Sequence, residues 1–238
     1  MSEKGAQSLA AQVTLMPESF LGLATGSTPL GIYKRLADWN QKGLLDFSQI
    51  KTANLDEYKG IGRDNEQSYY YYMNKNLFSK TNICPEHTMI PDGSREDAGN
   101  VCEEYERQIA ENGSVDIQLL GIGRNGHIGF NEPSDSFAAV CHCVDLAPST
   151  IEANQRFFEK EEDVPRQAYT MGIGTIMKAK KVLLIASGKD KSKALKELIE
   201  GEVTPEVPAT ILRFHPDVTV IADEDALAEV SEKFLSEV

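Results

Sequence analysis

The sequence predicts an α/β protein with an open, mostly parallel sheet and helices on both faces, a three-layer, Rossmann-like arrangement. Short apolar runs alternate with amphipathic helical patterns from one end of the chain to the other, as expected of parallel strands covered by helices. Glycine-rich turns follow two of those runs directly, at the position where such sheets build their sites. With 238 residues, 41% of them hydrophobic, the chain can bury one sizeable core, so a single domain spanning 1–238 is expected.

Phe20 to Ala24 and Val115 to Leu120 are the clearest strands, joined by Lys181 to Ala186 and Val218 to Ala222, all rich in Val, Ile and Leu and bounded by charged or turn residues. Weaker strands are Ile50 to Leu55 and Thr88 to Ile90. Apolar residues recur at three- and four-residue intervals over Leu30 to Gln41, Glu66 to Leu77, Arg95 to Asn112 and Ser192 to Glu200, which predicts helices there. No repeat, low-complexity tract or linker composition divides the chain. The stretch 146–165 differs, being polar and charged around Phe157 and Phe158, and is read as a surface flap or active-site lid.

A formal charge of −13 and a pI near 4.8 argue against a general affinity for nucleic acid or anionic membrane, since either surface repels the mean field of the protein. An anionic ligand would need a local basic pocket. Cys84, Cys102, Cys141 and Cys143 lack the dense spacing of a disulfide framework and are expected to be reduced. The opening MSEKGAQSLAAQ has no apolar core after a basic stretch, and no later segment approaches a membrane span, so a cytoplasmic location is expected.

The run LATGSTPLG, Leu23 to Gly31, follows a strand and precedes a helix, which brings backbone N–H groups and the Ser27 and Thr28 hydroxyls to a helix N-terminus. That geometry binds anions. The plainer alternative is an ordinary helix cap, but Thr25, Gly26, Ser27 and Thr28 together at a strand end favour a phosphate. A second run, GIGRNGHIGFNEP, contains a formal G-x-G-x-x-G from Gly121 to Gly126. A dinucleotide fingerprint should open directly into a helix, whereas here Asn131, Glu132 and Pro133 interrupt the chain within ten residues. What the loop presents is Asn125, His127 and Glu132, a histidine flanked by an amide and a carboxylate, which resembles a general base with its orienters. A structural histidine bonded to a turn carbonyl is the bland alternative.

In NLDEY, Asn54 to Tyr58, two adjacent carboxylates close a strand. If the strand continued through them, Asp56 and Glu57 would point in opposite directions and only one would face a ligand; a solvated acidic turn stands beside that reading. Lys191 lies at a strand-to-helix turn and Arg156 in the flap, both placed to hold a phosphate, although either alone is more often a surface charge. In the cluster Cys141-His142-Cys143 the cysteines are read as packing residues and no metal is expected, because alternation splays His142 from its neighbours and no second ligand pair appears elsewhere.

LATGSTPLG, NLDEY, GIGRNGHIGFNEP, NQRFF, MGIGT and SGKDK occur here in the order found in glucosamine-6-phosphate deaminases, and the sequence resembles that family over nearly its whole length. The resemblance implies conversion of glucosamine 6-phosphate to fructose 6-phosphate and ammonia, without a cofactor. It implies proton transfer by Asp56, ring opening by His127 with Glu132 as its partner, and phosphate binding by Ser27, Arg156 and Lys191. A closed, dry pocket around Asp56 is expected, since a desolvated carboxylate accepts a carbon-bound proton better.

Many relatives carry aspartate where this chain has Asn125, so the resemblance implies a histidine oriented by an amide, with Glu132 supplying the negative charge. Allosteric relatives place an arginine and a lysine after the Asn-Glu-Pro motif; here the region reads Val140-Cys141-His142-Cys143-Val144, and no such activation is expected. A monomer or small homo-oligomer is expected. Relatives usually open with a β-strand, whereas this chain begins inside the following helix, so a sheet short of one strand with uncovered apolar surface is expected. The rival activities are a 6-phosphogluconolactonase, which typically continues Ser-Leu-Phe-Pro after its histidine, and a sugar-phosphate sensor, which usually adds a basic DNA-binding module. This chain reads Gly-Phe-Asn-Glu-Pro and has neither the length nor the charge for such a module.

Overall fold

A computed structural model describes residues 1–155, 158, 160 and 163–235. In chain order the elements are α1 (Ser2–Leu15), β1 (Phe20–Leu23), α2 (Leu30–Gln41), β2 (Lys51–Asn54), β3 (Asp56–Tyr58), α3 (Tyr69–Asn76), β4 (Thr88–Met89), α4 (Ala98–Glu111), β5 (Ile117–Leu120) and β6 (His142–Asp145). There follow α5 (Pro148–Gln155), β7 (Gln167–Thr170), α6 (Ile173–Ile176), β8 (Val182–Ala186), α7 (Ser192–Glu200) and β9 (Val218–Ala222), then two short C-terminal helices.

The main sheet has six parallel strands in the order β4-β2-β1-β5-β8-β9, and the three-layer α/β architecture is as the sequence predicts. Its middle strands β1, β5 and β8 are buried along their full length, which is why they read as unbroken apolar runs rather than as alternation. From β1 the chain winds one way through β2 and β4, then returns to the other side for β5, β8 and β9. The carboxyl ends of β1 and β5 therefore flank the point where the winding reverses, and a crevice opens there. β9 forms one rim. Its residues are only partly covered, Val220 is 37% exposed, and among the described residues no strand pairs with its outer side.

Helices α2 and α7 occupy the predicted ranges, but α3 and α4 start about three residues later than their periodicity suggests. The cause is capping. The Ser68 hydroxyl accepts from Tyr71 N–H, and the Asp97 carboxylate accepts from Asn100 N–H, so each helix begins after its cap.

A second, three-stranded antiparallel sheet, β3-β7-β6, was not foreseen. β6 and β7 are four residues each and mostly polar, so neither carries an apolar run. β3 looked like the tail of β2. In fact the chain changes sheets at Leu55, whose N–H donates to Leu23 C=O while its carbonyl accepts from Met171 N–H. Beneath this sheet lies a small apolar cluster of Tyr58, Ile61, Phe130, Leu146, Ile151, Val164 and Ala168. The stretch 146–165, polar in sequence, thus contributes helix α5 and, among its described residues, the buried apolar side chains of Leu146, Ile151 and Val164 to the fold.

Candidate active site

A cavity of about 450 Å³ sits at the carboxyl ends of β1, β5 and β8 and takes in the start of β3. It is lined by Thr25, Gly26, Ser27 and Thr28 from the loop after β1, Asp56 from β3, and Asn125 and His127 from the loop after β5. Lys191 reaches it from the turn after β8. Glu132 stands just behind, bonded to two of these residues, while Arg156 lies outside the described residues.

At the end of β1, α2 starts after Pro29 without a side-chain cap, so among the described residues neither the Ser27 nor the Thr28 hydroxyl caps it. Gly26 adopts φ +99, a conformation L side chains resist, and this turns the loop's backbone around the cavity mouth. Two tyrosines missed in the sequence brace the loop. Tyr33 donates to Ala24 C=O at 2.5 Å and accepts from Ala24 N–H, and Tyr72 donates to Gly26 C=O at 2.5 Å. Across the mouth, Asp190 gathers two cations, accepting from Arg124 Nε at 3.0 Å and lying 3.6 Å from Lys191 Nζ.

The loop after β5 is folded around its histidine. Gly123 N–H donates to His127 C=O, and a Cβ added at Gly123 would fall 2.4 Å from the imidazole, so only glycine leaves the ring its place. His127 Nδ1 lies 3.3 Å from Glu132 Oε2, an arrangement that favours the Nδ1–H tautomer and leaves Nε2 as a proton acceptor. Asn125 does not touch the ring. Its Nδ2 donates to the same Glu132 oxygen at 2.7 Å, and its Oδ1 accepts from His127 N–H at 3.3 Å, so the amide acts through the carboxylate and the backbone. Burial pushes the Glu132 carboxyl up, but His127, the Thr150 hydroxyl and the Asn125 amide together hold it down, to about 2.

Asp56 and Glu57 are both buried, 6% and 2% exposed, which removes the reading of a solvated acidic turn. Asp56 faces the cavity. Glu57 instead accepts the backbone N–H groups of Tyr58, Tyr69 and Tyr70, each at 2.9 Å, and so fastens the start of α3 to β3. Burial first, and the neighbouring Glu57 charge second, push the Asp56 carboxyl up to about 8. Burial also raises Glu57, to about 7, against the pull of its three amides and Arg63.

An aromatic wall around Asp56 was likewise missed. Tyr58 and Tyr69 pack with ring centres 4.6 Å apart, Phe130 stacks on Tyr69 at 6.0 Å, and Phe158 meets Tyr58 edge-on at 6.0 Å. The wall supplies the apolar surroundings that keep the carboxylate dry. Its signal was present as Tyr58 and Phe130, each next to a motif residue, but single aromatics carry no spacing rule. Cys141 is buried and Cys143 half-buried, and among the described residues no group of His, Cys, Asp and Glu is arranged to hold a metal ion. No described helix is long and apolar enough to cross a membrane.

The family model described as glucosamine-6-phosphate isomerases/6-phosphogluconolactonase matches residues 1–221. The chain belongs to that family. Within the glucosamine-6-phosphate isomerase/6-phosphogluconolactonase family, its curated relatives include the glucosamine-6-phosphate deaminase of Thermoanaerobacter pseudethanolicus, 50% identical across 100% of this chain and 94% of the relative. The deaminase of Lachnoclostridium phytofermentans is 54% identical across 93% of this chain and 94% of its own. Among solved structures, a monomeric glucosamine-6-phosphate deaminase superposes with a TM-score of 0.93 at 44% identity, covering 96% of this chain and 95% of that one. A 6-phosphogluconolactonase of Thermotoga maritima shares the fold, with a TM-score of 0.71 at 22% identity over 93% and 94% of the two chains.

Proposed function

We propose that the chain is a glucosamine-6-phosphate deaminase, an isomerising enzyme of amino-sugar catabolism that releases fructose 6-phosphate and ammonia. The observation that carries this reading is one cavity in which a buried carboxylate, Asp56, and a carboxylate-paired imidazole, His127, share a wall with a hydroxyl- and amide-rich loop. Relatives at 50% identity and above over nearly the full chain bear the same name, which favours it over lactone hydrolysis and over a sensor.

In this reading Thr25 to Thr28, Lys191 and Arg156 hold the phosphate, and the two acid–base groups meet the other end of the sugar. His127 Nε2 takes the O1 proton and delivers one to O5, opening the pyranose to the aldehyde. Asp56, ionised, removes the C2 proton and returns it to C1, while a proton passes from the C2 ammonium to O1, which becomes the hydroxyl of the ketose. C1 is thereby reduced and C2 oxidised to an iminium, with no external electron acceptor. Water adds at C2 and ammonia leaves, giving the ketose. The Asp56 carboxylate is suited to its step because burial raises its proton affinity. Glu132, held near 2, stays ionised throughout the neutral range and supports the positive charge that forms on the imidazole. We further propose a cytoplasmic location and a phosphorylated amino sugar as the ligand, with no nucleic-acid or membrane partner.

Ammonia release from glucosamine 6-phosphate tests the activity. Production of ammonia with fructose 6-phosphate is the expected result; hydrolysis of 6-phosphogluconolactone without ammonia would overturn it in favour of the lactonase.

A further inference from the structure

We infer that Thr150 is a positioning residue for the histidine–carboxylate pair, acting through Glu132; the inference rests on the deaminase reading above. Thr150 lies in α5, ahead of the NQRFF motif and outside every motif singled out in the sequence, and is 6% exposed. Its hydroxyl donates to Glu132 Oε1 at 2.5 Å. The other oxygen, Oε2, is the one that accepts from Asn125 Nδ2 and faces His127 Nδ1.

The division of labour between the two oxygens carries the argument. A carboxylate held at one oxygen alone can rotate about its terminal bond and present either oxygen to the imidazole at varying angles. With Oε1 tied to α5 and Oε2 tied to Asn125, that rotation is blocked and Oε2 stays aimed at Nδ1. The hydroxyl is itself well anchored. Thr150 N–H and Ile151 N–H both donate to Ala147 C=O, and the Ile151 side chain is buried in the small apolar cluster beneath the antiparallel sheet. The Thr150 hydrogen bond thereby ties α5 and the small apolar cluster to the acid–base pair, beside the loop that carries Phe130 into that cluster. That bond is charge-assisted, the stronger kind, and without it a nearly buried carboxylate oxygen is left without its donor.

The prediction separates positioning from binding and from bulk stability. Thr150→Val keeps the shape and removes the donor; Thr150→Ser keeps the donor; Thr150→Ala, which cannot overfill the site, is carried alongside. With glucosamine 6-phosphate, the Val and Ala variants should lose about tenfold or more in kcat with KM within about threefold, and Ser should recover most of the loss. The decisive measurement repeats Thr150→Val in the Glu132→Gln background. Because the hydroxyl acts through that carboxylate, the second substitution should cost less than about twofold there. An unchanged kcat in the Val and Ala variants would overturn the inference. So would a rise in KM alone, a loss that Ser does not recover, or an equal loss in both backgrounds. If the unaltered enzyme releases no ammonia, the functional reading fails first; if it does and Thr150 proves silent, only the present inference falls.

Discussion

Two carboxylates serve the same cavity under opposite conditions. Asp56 sits among Tyr58, Tyr69 and Phe130 with a like charge at Glu57 beside it, and its proton affinity rises to about 8. Glu132 is also largely withdrawn from water, yet three polar partners surround it and its affinity falls to about 2. Burial raises both, and the balance decides: at Asp56 a like charge adds to it, whereas at Glu132 the histidine, the Thr150 hydroxyl and the Asn125 amide outweigh it. In the proposed mechanism this difference gives one cavity both a proton acceptor and a lasting anion from one kind of functional group.

The sharpest way to break the contrast is Asp56→Asn. Turnover should fall by roughly 10²–10⁴-fold while phosphate-dependent binding persists, because only the proton acceptor is removed. The same variant tests the electrostatics through stability. A raised folded-state value means the folded protein holds its proton more tightly than the unfolded chain between about pH 4 and pH 8, so the wild-type carboxyl lowers stability increasingly as pH climbs through that window. Asp56→Asn should therefore be more stable than wild type above pH 8, by several kcal/mol at about 1.4 kcal/mol for each pH unit of that window, and nearly equal to it at pH 4. Urea titrations at the two pH values read this directly, and equal shifts at both would remove the desolvation argument.

Next in size, Glu132→Gln keeps the shape but not the charge, and kcat should drop by about ten- to hundredfold with KM little altered. Lys191→Ala should act on the other end of the ligand, raising KM about tenfold for glucosamine 6-phosphate and leaving any turnover of unphosphorylated glucosamine unchanged. The mildest test is Glu57→Gln. Removing the like charge should move the acid limb of the kcat/KM profile, which reports Asp56 in the free enzyme, toward lower pH by about one unit or less. A limb that moves upward would mean that the two carboxyls do not interact as their adjacency requires.

These contrasts were unevenly visible in the sequence. The parallel sheet was legible because β1, β5 and β8 are buried on both faces and must be apolar throughout. His127, Asn125 and Glu132 were legible because a strand end, a glycine loop and three polar residues fall within twelve positions. Thr150, Tyr33 and Tyr72 were not, since each meets its partner across the fold from an ordinary helical position. Nor was the role of Glu57, because the choice between a solvated turn and an amide clamp depends on where α3 begins. The antiparallel sheet escaped for a related reason, as strands four residues long leave no periodicity to detect.

Leu55 belongs to both sheets at once, its N–H committed to β1 and its carbonyl to the residue after β7. Asp56 is the next residue, so the proposed proton acceptor hangs from a seam stitched on both sides rather than from a loop. The loops that carry Ser27 and Lys191, by contrast, leave the ends of single strands. A redesign seeking a different sugar tail can thus change side chains on those rims while Asp56 stays where the two sheets pin it.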